Sequence, residues 1–271
     1  MMEYIIMILL GIVQGITEFL PISSSGHLIL FQKALGLKEP GLFIAQMLHF
    51  GTFMSVCILF FQDIRQIIVE FFQLIYQLIK REKIKLTYYQ KLGLLILLGS
   101  VPTAIIAIFF EDTFKALYQN NIFLAGMFMV TAILLYLLDI SKTSNRSIDQ
   151  MRYSGAFAIG SIQGLAILPG ISRSGSTIFA ATFLGQSRKE AARFSFLLSL
   201  PATFGAFLFG MKEVFTSTEK VYFTFPLFIG MIVSMVVGII CLRFLLNLLQ
   251  QKKMRYFSYY LVCIAVITCF I

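Results

Sequence analysis

The chain has 271 residues, of which 58% are hydrophobic and only 13% are charged, and its mean hydropathy is +0.86. A water-soluble domain is about half apolar and a quarter charged, so this composition excludes a soluble enzyme, a disordered chain and a nucleic-acid-binding protein. The net charge of +9 comes from basic residues between apolar runs, where membrane topology signals lie. The composition predicts an all-α polytopic membrane protein.

Six apolar runs are long enough, or nearly long enough, to cross a membrane, which takes roughly 20 residues. The last run is marginal in length. The six runs cover about 41–61, 88–110, 121–139, 190–211, 222–247 and 256–271. Two further apolar segments, 2–35 and 154–185, are interrupted by Pro, Gly and Ser. Each is predicted to form a helix, a polar break and a second short helix, which is the pattern of a re-entrant hairpin.

The two interrupted segments resemble each other. Residues 11–27 read GIVQGITEFLPISSSGH, and residues 160–176 read GSIQGLAILPGISRSGS. Identities recur at a constant offset of 149 positions and include Gln14 with Gln163, Gly15 with Gly164, Ile22 with Ile171, Ser23 with Ser172, Ser25 with Ser174, and Gly26 with Gly175. Three predicted spans follow each segment. The sequence therefore predicts one membrane domain, 1–271, built from two repeats of about 1–140 and 154–271.

The number of crossings predicts the relative orientation of the repeats. A hairpin does not cross the membrane and three spans cross it three times, so the second repeat starts on the opposite side and is inverted. Sixteen Lys and Arg residues fall on one side, which identifies it as cytoplasmic. The other side carries Lys33, Lys38, Lys115, Lys212 and Lys220. The first hairpin then enters from outside and the second from the cytoplasm. The basic, amphipathic segment 63–85 is predicted to lie at the cytoplasmic interface or to extend a span.

Two charges fall inside the interrupted segments, Glu18 in the first and Arg173 in the second. A charge at membrane depth costs several kcal/mol unless it is paired, hydrated or functional. A structural ion pair is one interpretation, but such pairs rarely repay their desolvation, and the polar surroundings favour a functional site. Gln14 is four residues before Glu18 and shares its helix face. It could hydrogen-bond between helices or help to position a cation or water.

Both breaks place Ser and Gly just before a new helical run, as PISSSGH and as PGISRSGST. Serines there are good helix N-caps and could serve the backbone alone. Two opposed helix N-termini together with Arg173 instead predict a phosphate or diphosphate site. Glu18 beside an anion is useful if a divalent cation lies between them or if it acts as a general base. His27 could be a nucleophile, an acid or a base, or a buried hydrogen-bonded histidine, and His49 is interpreted as a packing or supporting residue.

The segment QGITEFLPISSSGH with PGISRSGST downstream closely resembles the undecaprenyl-diphosphate phosphatases of the bacitracin-resistance family. Gln14 and Glu18 match the family's (E/Q)xxxE motif, and residues 169–177 match its PGxSRSxxT motif. The resemblance implies a multi-pass enzyme of the bacterial inner membrane with a site open to the outer face. Such an enzyme hydrolyses undecaprenyl diphosphate to undecaprenyl phosphate, recycles this carrier for cell-wall synthesis and confers bacitracin resistance. It depends on Mg²⁺ or Ca²⁺.

The expected roles follow from the two motifs. The predicted catalytic residues are Glu18, Ser24, His27 and Arg173. The predicted phosphate-binding residues are Ser23, Ser25, Ser172, Arg173, Ser174 and Thr177. The predicted metal ligands are Glu18 and Gln14. Three nucleophiles stay open at this point, namely Ser24 activated by Glu18 or His27, His27 itself, and metal-activated water. A lipid-phosphate transporter or flippase is the alternative function, and a homodimer is left open as the assembly.

Overall fold

A computed structural model describes residues 1–34, 42–110, 113, 117, 120–142, 144–216 and 224–270. The ends of three predicted runs, at 41, 222–223 and 271, lie outside these residues, as do Lys38, Lys115 and Lys220. The described residues form eleven α-helices and the 3-10 helix Ile148–Gln150. In chain order they are α1 (Met2–Phe19), α2 (Ser24–Ala34), α3 (Leu42–Leu59), α4 (Phe61–Ile79), α5 (Tyr88–Phe109), α6 (Asn121–Ile140), α7 (Tyr153–Leu165), α8 (Arg173–Phe183), α9 (Arg188–Thr216), α10 (Phe225–Gln250) and α11 (Arg255–Thr268).

Within the described residues, five helices are long and apolar enough to cross a membrane: α1, α5, α6, α9 and α10. This confirms the prediction of an all-helical, multi-pass membrane protein. A sixth candidate span is the pair α3 and α4, which are bent by 77° at their junction. The final helix, α11, has 14 residues and is shorter than the others, in line with the marginal length of the last predicted run.

Both interrupted segments form a helix, a break and a second helix, as predicted. The first helix ends at Phe19 and Leu20 is extended, because Pro21 follows and disfavours a helical residue before it. Ser23, just before α2, has a left-handed φ of +72°. In the second segment Gly170 has a φ of +92°, which a residue without a Cβ adopts freely. Ser172 then caps α8 by accepting a hydrogen bond of 3.1 Å from the Gly175 amide.

Small residues bring the hairpin helices close to their neighbours. Helix α1 packs against α10 and α3, and α7 packs against α5. A Cβ at Gly11 would collide with the carbonyl oxygen of Gly230, and a Cβ at Gly160 would collide with that of Gly99. Gly11 and Gly160 occupy equivalent positions of the two interrupted segments, 149 residues apart. The first helix of each interrupted segment is thus held by direct backbone contact with a long apolar helix, as small residues permit in membrane bundles.

A continuous buried core fixes the depth of the first break. Phe19 is fully buried and packs in this core with Phe128 and Phe196, among other apolar residues of α5, α6, α9 and α10. Large apolar side chains such as Phe109 and Ile122 lie exposed on the outside, as expected where a helix faces lipid. Because Phe19 anchors the end of α1 in the core, the residue before it, Glu18, is also held deep within the bundle.

Helix α4 corresponds to the predicted amphipathic segment. It packs against α5 and buries Leu74, while Phe61, Phe72 and Ile79 are exposed. The bend of 77° after α3 turns this helix away from the direction of the preceding span. An orientation along the membrane interface is consistent with this bend and stays a prediction.

Candidate active site

The carboxylate of Glu18 is the centre of a cluster of polar side chains. Its Oε1 accepts a hydrogen bond of 2.5 Å from Nη2 of Arg173. Its Oε2 accepts one of 2.8 Å from the Ser24 hydroxyl and one of 3.1 Å from Nε2 of Gln14. Nδ1 of His49 is also 3.1 Å from Oε2. The Glu18 side chain is only 10% exposed, so these groups replace the water that a charge requires.

Two of these contacts come from equivalent positions of the repeat. Ser24 is the first residue of α2, and Arg173, 149 positions later, is the first residue of α8. The N-terminal ends of two short helices therefore converge on one carboxylate, and the partial positive charge of a helix start favours an anion there. The breaks also touch directly, since the Ser174 hydroxyl donates a bond of 3.4 Å to the Phe19 carbonyl oxygen. The predicted meeting of two helix N-termini is thus present.

Gln14 links the carboxylate to a histidine of α3. Its side chain is fully buried, and its Nε2 lies 2.8 Å from Nδ1 of His49 as well as against Glu18. When Gln14 donates to Nδ1, the proton of a neutral His49 lies on Nε2. The other amide atom of Gln14, Oε1, is buried and has no hydrogen-bond partner among the residues that the structure describes. Sequence reasoning treated His49 as a supporting residue, and its direct contact with Glu18 was missed.

His27 lies beside the cluster, but its ring nitrogens bond elsewhere. Nδ1 is 2.8 Å from the Ser23 carbonyl oxygen, which can only accept, so the proton lies on Nδ1. Nε2 is 2.9 Å from the hydroxyl of Tyr260 in α11 and is free to accept from it. The two rings stack with centroids 5.7 Å apart. The sequence offered no signal for Tyr260, because 233 positions separate it from His27.

The serines of the first break differ in exposure. Ser23 is buried, and its hydroxyl accepts a bond of 3.4 Å from the Gly26 amide, which caps α2. The Ser25 hydroxyl lies 3.3 Å from that of Ser23, and both Ser24 and Ser25 are half-buried. Ser23 holds its left-handed φ at a polar site, and this kind of backbone strain concentrates where function demands a fixed geometry.

The polar residues of the second break are almost fully buried. Ser172 caps α8 and contacts the Ser174 hydroxyl at 3.3 Å, while Thr177 donates to the Arg173 carbonyl oxygen at 2.8 Å. Thr131 of α6 joins the break from the other side, since its hydroxyl donates to the Gly170 carbonyl and accepts from the Ser172 amide. The hydroxyls of Ser172, Ser174 and Thr177 thus make hydrogen bonds within the protein. A direct contact of these three predicted ligands with phosphate stays a prediction.

A model of one family, described as bacitracin resistance protein BacA, matches residues 7–267 of the chain. The chain belongs to the BacA family. It is 43% identical over 259 residues to an undecaprenyl-diphosphatase of Halothermothrix orenii, covering 96% of this chain and 94% of that protein. It is 42% identical over 255 residues to an undecaprenyl-diphosphatase of Alkaliphilus metalliredigens, covering 93% of each. An undecaprenyl-diphosphatase 4 of Bacillus cereus is 37% identical, covering 96% of this chain and 93% of that protein.

In this BacA family member, Glu18 and Gln14 offer oxygen donors of the kind that hard divalent cations take, and a cation bound there would have to be shared with substrate. The described residues contain no group of three or more His, Cys, Asp or Glu side chains that could enclose a metal by themselves. Mg²⁺, however, is usually bound by one or two carboxylates together with substrate phosphates and water. Glu18 supplies one carboxylate, and the unpartnered Oε1 of Gln14 supplies a neutral oxygen if the amide turns over.

Proposed function

We propose that this chain is an integral membrane undecaprenyl-diphosphatase, which hydrolyses undecaprenyl diphosphate to undecaprenyl phosphate and phosphate. The BacA family match and the names of the relatives, which align over nearly the whole chain, support this activity. The observation that carries it is the contact of one buried carboxylate, Glu18, with both the Ser24 hydroxyl and the Arg173 guanidinium. The hydroxyl, the carboxylate and the guanidinium are then available as nucleophile, base and anion-binding donor.

Arg173 is the proposed phosphate-binding residue. Its Nη2 is bonded to Glu18, while its Nη1 is buried and has no hydrogen-bond partner in the described part of the chain. A buried cationic N–H without an acceptor is costly, and a phosphate oxygen would remove that cost. The start of α8, to which Arg173 belongs, adds favourable partial charge. A phosphate bound to Arg173 lies next to Ser24. Ser25, another predicted phosphate-binding residue, is half-buried on the same turn of α2.

Ser24 is the proposed nucleophile, with Glu18 as its base, because the Ser24 hydroxyl donates directly to Oε2 of Glu18. In the first step Ser24 Oγ bonds to the terminal phosphorus, and its proton passes to Glu18. The bond from that phosphorus to the bridging oxygen breaks, and undecaprenyl phosphate leaves with this oxygen and takes the proton. Water then attacks the phosphoserine, Glu18 receives the water's proton, and Ser24 leaves with a proton as phosphate is released.

The other two nucleophiles are less well supported. Both ring nitrogens of His27 are bonded to groups other than Glu18 and Ser24, so its contacts favour a role in holding the start of α2. The second alternative, attack by water, needs a base, and Glu18 is available for it as well. Water attack and serine attack are distinguished by whether a phosphoserine forms.

Gln14 and Glu18 are the proposed protein ligands of a divalent cation, Mg²⁺ or Ca²⁺. When bound, the cation would offset the negative charge that the diphosphate and the carboxylate bring together. Gln14 must turn its amide so that Oε1, now unpartnered, faces Glu18. His49 can then donate through Nδ1 to that oxygen, since it already lies within hydrogen-bond distance of the amide.

We also infer an inverted repeat, with the first hairpin open to the outer face and the chain in the bacterial inner membrane. The reciprocal packing of α1 on α10 and of α7 on α5 supports the repeat. The charge count supports the orientation. In this position the enzyme would recycle the lipid carrier for cell-wall synthesis and, by removing the diphosphate, confer bacitracin resistance. A homodimer stays a prediction that light scattering of the purified protein can measure.

The transporter alternative gains no support from the comparisons, because the relatives named above are all undecaprenyl-diphosphatases. Pure translocation would also have no use for a hydroxyl bonded to a buried carboxylate. The proposed activity is tested by phosphate release from undecaprenyl diphosphate by the detergent-purified protein, with chelator, Mg²⁺ or Ca²⁺. We expect release that depends on the cation and is abolished in Glu18→Gln. Absence of release from folded protein with either cation would overturn the proposal.

A further inference from the structure

A cavity lies between the α3–α4 bend, the start of α9 and the end of α10. Its volume is about 740 Å³, and its lining includes Phe61, Asp63, Arg188, Lys189, Arg193 and Leu249. On α3 the lining begins at Ile58, nine residues beyond His49. At 1.5 Å per residue this is about 13 Å along the helix, so the cavity is separate from the Glu18 cluster. Its volume falls in the range of about 300–1,000 Å³ that small-molecule sites occupy.

The cations of this cavity are incompletely paired. Arg193 is paired with Asp63, lies 3.6 Å from a carboxylate oxygen of Glu190, and also donates to the hydroxyl groups of Tyr88 and Tyr89. Arg188, in contrast, donates only to the backbone carbonyls of Leu138, Asp139 and Leu249.

Arg188 is 6% exposed, and its Nε is buried without a hydrogen-bond partner in the described part of the chain. Lys189 is exposed, and its ammonium group has no hydrogen bond or ion pair within the described residues. Of the three cations that line the cavity, Arg193 lies between the carboxylates of Asp63 and Glu190, whereas Arg188 and Lys189 have no carboxylate at hydrogen-bond distance within the described residues. A nearly buried guanidinium without a carboxylate at hydrogen-bond distance is stabilised by an anion.

Apart from Gln62, Tyr89 and Gln250, the rest of the lining is apolar, and this apolar part continues onto the outer surface. Leu59, Phe60, Leu246 and Leu249 form the inner part, and two lining residues reach the exterior, since Ile58 is 48% exposed and Phe61 is 63% exposed. In a membrane protein such exposed apolar side chains lie against lipid chains. A ligand that places a charged group at Lys189 can therefore leave a hydrocarbon chain along Ile58 and Phe61.

We propose that this cavity binds the phosphate monoester head group of an anionic lipid, with Lys189 and Arg188 at the phosphate and the lipid chain along Ile58 and Phe61. A phosphate monoester carries about −1.5 to −2 charges at neutral pH, which matches the combined charge of Arg188 and Lys189. A zwitterionic phosphodiester head group has no net charge to match it. The site lies beyond the proposed phosphatase reaction and does not depend on it.

The proposal is tested by equilibrium binding of fluorescent phosphatidic acid to the purified full-length protein in detergent, with phosphatidylcholine of the same chains as competitor. Lys189→Gln removes one of the proposed phosphate ligands. Lys253→Gln is the matched control, because Lys253 is exposed in the neighbouring turn after α10 and does not line the cavity. We expect Lys189→Gln to weaken binding about tenfold, as the loss of one charge-assisted hydrogen bond predicts, and Lys253→Gln to leave it unchanged. Equal effects of the two substitutions, or no effect of either, would overturn the proposal.

Two further arms separate the phosphate group from the lipid that bears it. Inorganic phosphate should displace the fluorescent lipid only at far higher concentrations than unlabelled phosphatidic acid, because it lacks the apolar contacts. Ile58→Trp should weaken lipid binding by narrowing the apolar end of the cavity, while phosphate release at Glu18 is preserved. Displacement by inorganic phosphate as effective as that by phosphatidic acid would refute a lipid site. Phosphate release by each variant reports on the Glu18 site separately, so failure of one proposal is distinguishable from failure of the other.

Discussion

Nη2 of Arg173 lies 2.5 Å from Oε1 of Glu18, and this contact joins the second helix–break–helix segment to the first. The other oxygen of the same carboxylate accepts from Ser24, which is the residue equivalent to Arg173 in the first repeat. The carboxylate of Glu18 therefore accepts hydrogen bonds from the first residue of each short helix, α2 and α8. A purely structural ion pair would need neither the hydroxyl of Ser24 nor the unpartnered Nη1 of Arg173.

Replacing Arg173 by lysine should reduce kcat/KM for undecaprenyl diphosphate by at least 100-fold. Lysine keeps the charge but lacks the planar fork that can bond Glu18 and a phosphate at once. Arg152→Lys, at an exposed position just before α7, is the matched control and should keep full activity. Combining Arg173→Lys with Glu18→Gln should cost less than the sum of the two separate effects, because the residues act as a unit. Strictly additive losses would contradict a joint role.

Ser24→Ala should abolish phosphate release, to below about 1/1,000 of the original rate, if serine is the nucleophile. Ser161→Ala is a suitable control, since the Ser161 hydroxyl donates only to the backbone carbonyl of Phe157 in its own helix. Rapid acid quenching with substrate labelled at the terminal phosphate should trap a phosphoserine in the unaltered enzyme. Substantial activity in Ser24→Ala would refute serine attack and leave water activated by Glu18 as the explanation.

The local features of the site could be predicted from the sequence, because each depends on neighbouring residues. Pro21, Gly170 and the serines interrupt apolar runs, and the constant offset of 149 identified Ser24 and Arg173 as equivalent positions. The same offset extends to tertiary contacts. Gln14 contacts residue 49, whereas the equivalent Gln163 donates to the carbonyl oxygen of Leu198, which is 149 positions after His49. The two positions 149 residues after Glu18 and His49 are the apolar residues Ile167 and Leu198, so the carboxylate and the imidazole come from the first segment and the guanidinium of Arg173 comes from the second.

The features that were missed depend on contacts between distant parts of the chain. His49 lies in an apolar run, and its approach to Glu18 results from the packing of α3 against α1. Tyr260 reaches His27 from the last helix, and Thr131 reaches the second break from α6. No local sequence pattern indicates these long-range contacts. The hydroxyl of Ser172 accepts from the backbone at the start of α8, and that of Thr177 contacts the Arg173 carbonyl and Ser195. Phosphate binding by these two residues stays a prediction.

His49→Ala should lower kcat/KM about tenfold or more, because Gln14 and the carboxylate of Glu18 lose a fixed neighbour. His49 is a positioning residue in this mechanism, so a side chain that can still bond the Gln14 amide should restore part of the activity. His49→Gln provides such a group and is the matched variant. The measurements are steady-state kinetics at several cation concentrations and the melting temperature. Equal activity of His49→Ala and the unaltered protein would exclude this role, and equal losses in both variants would point to the imidazole itself.

Gly160→Ala should lower the free energy of unfolding by about 1–3 kcal/mol, because the added methyl group collides with the backbone of α5 and the helices must separate. Gly126→Ala is the matched control, since a Cβ at Gly126 has no neighbouring atom within 4 Å and alanine is the better helix former. It should be neutral or slightly stabilising. Thermal unfolding in detergent compares the two variants.

Activity should fall with stability in Gly160→Ala, since α7 leads directly into the break that places Arg173 against Glu18. Gly11→Ala should behave in the same way, because Gly11 makes the equivalent contact with Gly230 of α10. If the melting temperature of Gly160→Ala equalled that of Gly126→Ala, the close backbone approach would not be what holds the second hairpin in place. The position of Arg173 would then have to depend on contacts within the second break. The hydrogen bonds of Thr131 to Gly170 and Ser172 are the contacts that would hold it there.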